Sequence, residues 1–127
     1  MAGFRSLEIY QKALTLAIAV HEMSMSLPKH ELHETGGQIR RAAKSVVANI
    51  AEGYGRRQYA QEHLRFLTFA LASCDEVRAH LDILRGTKSI SDEQFEALEE
   101  GFDHLGRMIN RFHQGVRRQH LQSADSE

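Results

Sequence analysis

The sequence predicts an all-α protein, an antiparallel up-down-up-down four-helix bundle. Three observations predict it. Helix breakers are sparse: Pro28 is the only proline, and glycines punctuate the chain at Gly36-Gly37, Gly53, Gly55 and Gly86. Between these points apolar residues recur at alternating spacings of three and four, the 3.5-residue repeat of helices that cross at a shallow angle. No segment alternates apolar and polar residues as a half-buried strand would.

The first helix is expected from about Ser6 to Leu27, with Ile9, Ala13, Leu16, Val20, Met23 and Leu27 as its seam. Ser6 is its expected N-cap, and Glu8 complements the helix dipole in the first turn. The second runs from about Glu31 to Gly53 through Leu32, Gly36, Ile39, Ala43, Val46, Ile50 and Gly53, with Gly53-Tyr54-Gly55 read as its stop. The third spans about Gln58 to Arg85 through Leu67, Ala70, Cys74, Val77, Leu81 and Leu84, and has no good N-cap. The fourth carries Phe95, Leu98, Phe102, Leu105, Ile109, Phe112 and Val116. Ser91 and Gln94 form a capping box at its start. Its acids Glu96, Glu99, Glu100 and Asp103 come early and Arg107, Arg111 and Arg117 late, which suits the dipole. The links between helices are short, so neighbours in sequence are expected to be antiparallel neighbours in space.

At 127 residues the chain is one domain, with the bundle over 1–118 and a flexible polar tail over 119–127. A net charge of −1 excludes a polycation, so any nucleic-acid contact must come from a local patch. One cysteine, Cys74, allows no intrachain disulfide and fits a cytoplasmic location. The N-terminus has no long apolar core, so it does not read as a signal peptide, and no apolar run is long enough to cross a membrane.

The first helix is apolar beyond one seam: Leu14, Ala17 and Ile18 flank the main stripe, and Phe69 lies off the seam of the third helix. A wide core face with a few exposed residues would account for this. The favoured expectation is a homo-oligomer that buries a second face, because monomers rarely leave large apolar patches exposed. Leu14, Ile18 and Phe69 are the interface candidates.

Catalytic chemistry is poorly represented. A carboxylate-bridged di-metal bundle needs Glu-x-x-His pairs, and none occurs among the eight histidines. His30 and His33 in "KHELHE" could bind an ion only adventitiously, and a single cysteine cannot build a structural zinc site. Cys74 sits on a seam, where a thiol is inert. No nucleophile elbow, phosphate loop or dinucleotide fingerprint is found. The expectation is a non-enzyme without cofactor or metal. The basic residues carry more: Arg40, Arg41 and Lys44 share the outer side of the second helix, and Arg56 and Arg57 follow its end. These five are the candidate contacts to RNA or DNA phosphates. The competing expectation is a protein-interaction adaptor, whose partner is encoded nearby, with no nucleic-acid contact.

The stretch "QIRRAAKSVVANIAEGYGRR", with "SLEIYQKA", "RFLTFALASCDE", "ISDEQFEAL" and "GRMINRF", resembles the bacterial 23S ribosomal RNA intervening-sequence protein family. The resemblance covers roughly Phe4 to Val116, and Asn49 to Gly53 is its most specific part. It implies an antiparallel four-helix bundle that assembles as a homopentamer. It also implies a fold similar to that of the accessory variability proteins of diversity-generating retroelements, pentamers that bind nucleic acid and a reverse transcriptase. It implies no catalytic residue. Where the family often has Ser-Ile-Pro-Ser, this chain has Ser45-Val46-Val47-Ala48, and Lys44 replaces a small or apolar residue. Without that proline the second helix is expected to be straighter.

Asn49 and Glu52 are three apart and share a face beside the apolar seam. One reading has both bonding across to another helix or subunit and setting register. The other has both bonding the amides of the Gly53 to Arg57 segment.

Overall fold

The computed structural model describes residues 3–125. A 3-10 turn, Phe4–Ser6, leads into four long helices, α1 (Glu8–Ser24), α3 (Thr35–Gly55), α4 (Ala60–Gly86) and α5 (Asp92–Asp125), with a single-turn helix α2 (Lys29–Leu32) between α1 and α3. No strand occurs among the described residues. α3 and α4 pack most extensively, α4 also packs on α5, and α1 packs on α3 and α5, so α1 and α4 occupy opposite corners. Ser45 meets Ser73, and a Cβ on Gly53 would meet Phe66, the register of a chain folded back on itself.

The seams form the core. Val20, Ile39, Val46, Ile50, Leu67, Leu81, Phe102, Leu105 and Ile109 are fully buried. Leu16, Phe112 and Val116, near the seam ends, are half-buried. Each large side chain removed from water stabilises by roughly 1.5–3 kcal/mol, which is why burial decides the helix interiors.

The helix ends differ from expectation where single polar contacts decide them. Ser6 does not cap α1: its hydroxyl donates to the Gly3 carbonyl at 2.7 Å inside the 3-10 turn, and the N-cap is Leu7. The expected second helix is broken at His33-Glu34. There the chain turns so that α2 folds over the start of α3. Gly36 permits it, since a Cβ at that position would sit 2.9 Å from the Glu31 carbonyl oxygen and 3.1 Å from Leu27 Cδ1. Arg40 holds the corner, donating to Ser24 Oγ at 2.9 Å and to the Leu32 carbonyl at 3.1 Å. Arg40→Ala is expected to lower unfolding free energy by about 1–3 kcal/mol in urea titration, because it strands those acceptors.

Gly53-Tyr54-Gly55 is not a stop, because the helix continues through Gly55. α3 is also uninterrupted across Ser45-Val46-Val47-Ala48. Gly86 is likewise helical, and Lys88 takes the left-handed conformation, φ 59°. Ser89 N–H bonds the Leu84 carbonyl and Lys88 N–H the Arg85 carbonyl, a Schellman arrangement with lysine where glycine is favoured. Lys88→Gly is therefore expected to raise stability by about 0.5–1 kcal/mol, read as a higher denaturant midpoint at unchanged slope. The capping box forms as expected: Gln94 N–H donates to Ser91 Oγ at 3.0 Å, and Ser91 N–H to Gln94 Oε1 at 2.9 Å. α4 starts at Tyr59 without a side-chain cap. The segment expected to be a flexible tail is helical as far as Asp125, and 126–127 lie outside the described residues.

Candidate functional site

Two kinds of surface stand out. The first is apolar. On α1, Leu14 and Ile18 are 40% and 51% exposed, and Met25 extends the same face. On α4, Phe69 and Ile83 are 41% and 48% exposed, fourteen residues apart on one face that includes the exposed Ala72 and Ala79. Leu14, Ile18 and Phe69 were the residues singled out from sequence. Ala17, grouped with them, is half-buried against the core. The two faces lie at opposite corners of the bundle. Phe69 is flanked by Phe66, edge-on at 5.7 Å between ring centroids, and the Arg65 guanidinium lies 5.3 Å from its ring centroid.

The second surface is cationic, and the structure separates its members. Arg40 is half-buried and committed to Ser24 and Leu32, so it points into the α1–α2–α3 corner. Arg56 pairs with Glu52 at 3.5 Å and Glu62 at 3.4 Å, and lies over the Phe66 ring. Arg41 and Lys44 are exposed and make no ion pair among the described residues. Arg57 donates to the Tyr54 carbonyl at 2.9 Å and stacks 4.2 Å above the Tyr54 ring, with no carboxylate partner. Arg41, Lys44 and Arg57 are thus the cations that one chain leaves unneutralised from the original five.

Asn49 and Glu52 follow neither expected pattern within the chain. The Asn49 amide donates to the Ser45 carbonyl at 2.8 Å and to Ser45 Oγ at 3.0 Å. It reaches α4 only through Ser45, whose hydroxyl meets Ser73 Oγ at 2.9 Å. Glu52 is exposed and pairs with Arg56 one turn on. Neither side chain bonds an amide of residues 53–57. What Gly53 contributes is closeness: a Cβ there would lie 3.0 Å from Phe66 Cβ and 3.4 Å from His63 Cδ2, so the bare backbone lets α4 settle against α3.

That contact seats a residue the sequence reading missed. His63 is 4% exposed, with Tyr54 and Phe112 edge-on at 6.4 and 5.8 Å. The signal was present, because His63 continues the Leu67–Ala70–Cys74 rhythm one turn back. Its Nε2 is buried without a hydrogen-bond partner. Burial, then the charge of Arg57, then His113 hold its pKa below the ordinary 6.5. Burial first, and Arg117 second, lower that of His113. In the unfolded chain both rings take up protons near pH 6.5, while the native rings stay neutral to lower pH. The unfolded state then binds more protons, so stability falls as pH drops below about 6.5. The melting temperature should follow, and His113→Gln should flatten part of that slope.

The remaining chemistry is structural. Burial pushes the Cys74 thiol up to about 12, so it stays protonated. Arg78 bonds Glu99 at 2.8–2.9 Å across α4 and α5, with Asp103 and Asp75 farther out. His80 pairs with Glu76 at 3.2 Å. Among the described residues no group of three His, Cys, Asp or Glu is placed to hold a metal ion, and no helix is long and apolar enough to cross a membrane.

The fold is similar to that of a protein of unknown function from the S23 ribosomal protein family of Bacteroides thetaiotaomicron VPI-5482. The TM-score is 0.77 at 22% identity, over 84% of this chain and 95% of that one. No curated protein matches the chain. The 23S rRNA-intervening sequence protein family matches residues 5–111, which takes in both apolar faces, Arg41, Lys44, Arg57 and the Gly53 contact. The chain belongs to the 23S rRNA-intervening sequence protein family.

Proposed function

We propose that this protein is a non-enzymatic, cytoplasmic binding scaffold. It is an up-down-up-down antiparallel bundle that self-associates through its α1 and α4 faces and holds RNA or DNA by its phosphates. The observation that carries the reading is the pair of apolar faces at opposite corners of one chain. When the α1 face of one copy seats on the α4 face of the next, the contact is head-to-tail, and such contacts build rings when the rotation closes. The family resemblance points to five copies. Repetition around the ring multiplies Arg41, Lys44 and Arg57, so a strand that one chain holds weakly is held by several at once.

The test is anisotropy of a labelled single strand at rising salt, with wild type, Arg41→Gln/Lys44→Gln, and an interface variant, Ile18→Glu. Wild type should bind with a steep salt dependence. The double variant should lose about 0.7 from the log–log slope for each contact removed. Ile18→Glu should lose binding at physiological salt. If wild type retains no strand even at low salt, the phosphate reading is wrong, and the adaptor with a protein partner takes its place.

A further inference from the structure

At the end of the bundle where α3 meets α4, a cleft of about 510 Å³ opens between that corner and the last turns of α5. Its lining is mixed in a specific way. Tyr54, His63 and Phe112 supply three rings, Arg57 a cation, and Gln58 and Gln119 two amides. Two further observations point to a ligand.

The first is the start of α4. It has no side-chain cap, and Ala60, its first residue, lines the cleft. His63 N–H makes the bond to the Tyr59 carbonyl at 3.0 Å, which leaves the amides of Ala60, Gln61 and Glu62 without helical acceptors. A 27-residue helix that begins uncapped beside an arginine without a carboxylate partner presents donors and positive potential to an anion. Glu62, in the same turn, is drawn to Arg56 and Arg65 at 3.4 and 3.3 Å.

The second, independent observation is His63. It lies in the wall of the same cleft, is 4% exposed, and has a buried Nε2 with no partner in the protein. A buried unpaired ring nitrogen costs roughly 1–3 kcal/mol, and a ligand bond there removes that cost. A bare phosphate would use the helix start and Arg57 but leave the rings and amides idle. A planar heteroaromatic ring with polar edges uses both, by stacking on aromatic faces and pairing with amides.

We infer that this cleft binds a nucleotide, with its phosphate at the start of α4 beside Arg57 and its base among Tyr54, His63 and Phe112. The site deepens, and rests on, the phosphate-binding reading of the scaffold. The nucleotide is either free or the 5′-phosphorylated end of a strand, which share this chemistry.

Isothermal titration calorimetry of the full chain with AMP, UMP, inorganic phosphate, adenosine and a 5′-phosphorylated tetranucleotide tests it. The expected result is one saturable site per chain for at least one of the two mononucleotides or the tetranucleotide. That ligand should bind at least tenfold tighter than phosphate or adenosine. A tighter tetranucleotide identifies a strand end, and a tighter mononucleotide a free nucleotide. Arg57→Gln, an exposed change that leaves the core intact, should weaken binding at least tenfold. Arg41→Gln/Lys44→Gln should leave it unchanged while weakening retention of long strands. No saturable heat from any nucleotide, or phosphate binding as tightly as the nucleotides (an adventitious ion only), overturns the site. Indifference to Arg57→Gln does the same. Saturable nucleotide binding with no retention of long strands would uphold the cleft and refute the scaffold reading.

Discussion

Gly53→Val is expected to destabilise the protein by about 2–3 kcal/mol and to lower its melting temperature by about 10 °C. The added Cβ alone would approach Phe66 Cβ to 3.0 Å, and the His63 backbone carbonyl to 3.4 Å. Neither is the far end of a flexible side chain, so relief requires α4 to move from α3 along the most extensive interface in the molecule. The two γ-methyls of valine add volume where a single carbon is already tight. Gly53→Ala should cost clearly less, because its better helix propensity offsets part of the clash by up to about 1 kcal/mol. The comparison separates close packing from backbone freedom: at this helical position glycine is needed for proximity. Circular-dichroism melts of the two variants beside wild type read the difference directly. Equal, small effects would mean that α4 has room to shift.

Leu14→Glu/Ile18→Glu is expected to convert the assembled protein to single chains with little change in their helicity. Both side chains are substantially exposed in the isolated chain, so the bundle core loses almost nothing. In the assembly each would be buried against the α4 face of a neighbour. A carboxylate placed there without a partner costs several kcal/mol at each contact, more than such an interface can absorb. Phe69→Glu, on the opposite corner, should produce the same dissociation, because a head-to-tail contact uses both faces. Mixing the α1 and α4 variants should give at most one intact contact per pair of chains. Sedimentation velocity distinguishes these species, and far-ultraviolet circular dichroism confirms that each variant is folded.

The helix interiors were legible in the sequence because burial repeated at three and four residues leaves its trace in residue type. The third and fourth seams, from Leu67 to Leu84 and from Phe95 to Ile109, are buried at every position named. The exposed character of Leu14, Ile18 and Phe69 was equally legible, since each breaks the rhythm of its own helix. The ends were harder. Ser6 has the residue type of a cap, yet its hydroxyl is taken by Gly3, three residues back. The break before α3 depends on Gly36 passing under Glu31 and on Arg40 reaching Ser24 and Leu32. No local spacing encodes those contacts.

The cationic candidates show the same limit. Arg40, Arg41, Lys44, Arg56 and Arg57 are alike in sequence and unlike in space. Which of them is free depends on Ser24, Glu52 and Glu62, brought in by other turns and helices. The nucleotide cleft was hidden for a related reason. Tyr54, His63 and Phe112 come from three helices, and only the packing of α4 against Gly53 brings their rings together. The missing cap of α4, by contrast, was visible from the start.

The account stands on copies of this chain covering the α1 and α4 faces of one another. Native mass spectrometry of the untagged protein at micromolar concentration tests that most directly. The account predicts a dominant closed assembly of five 14.4 kDa chains. A dominant single-chain species under the same conditions would contradict it.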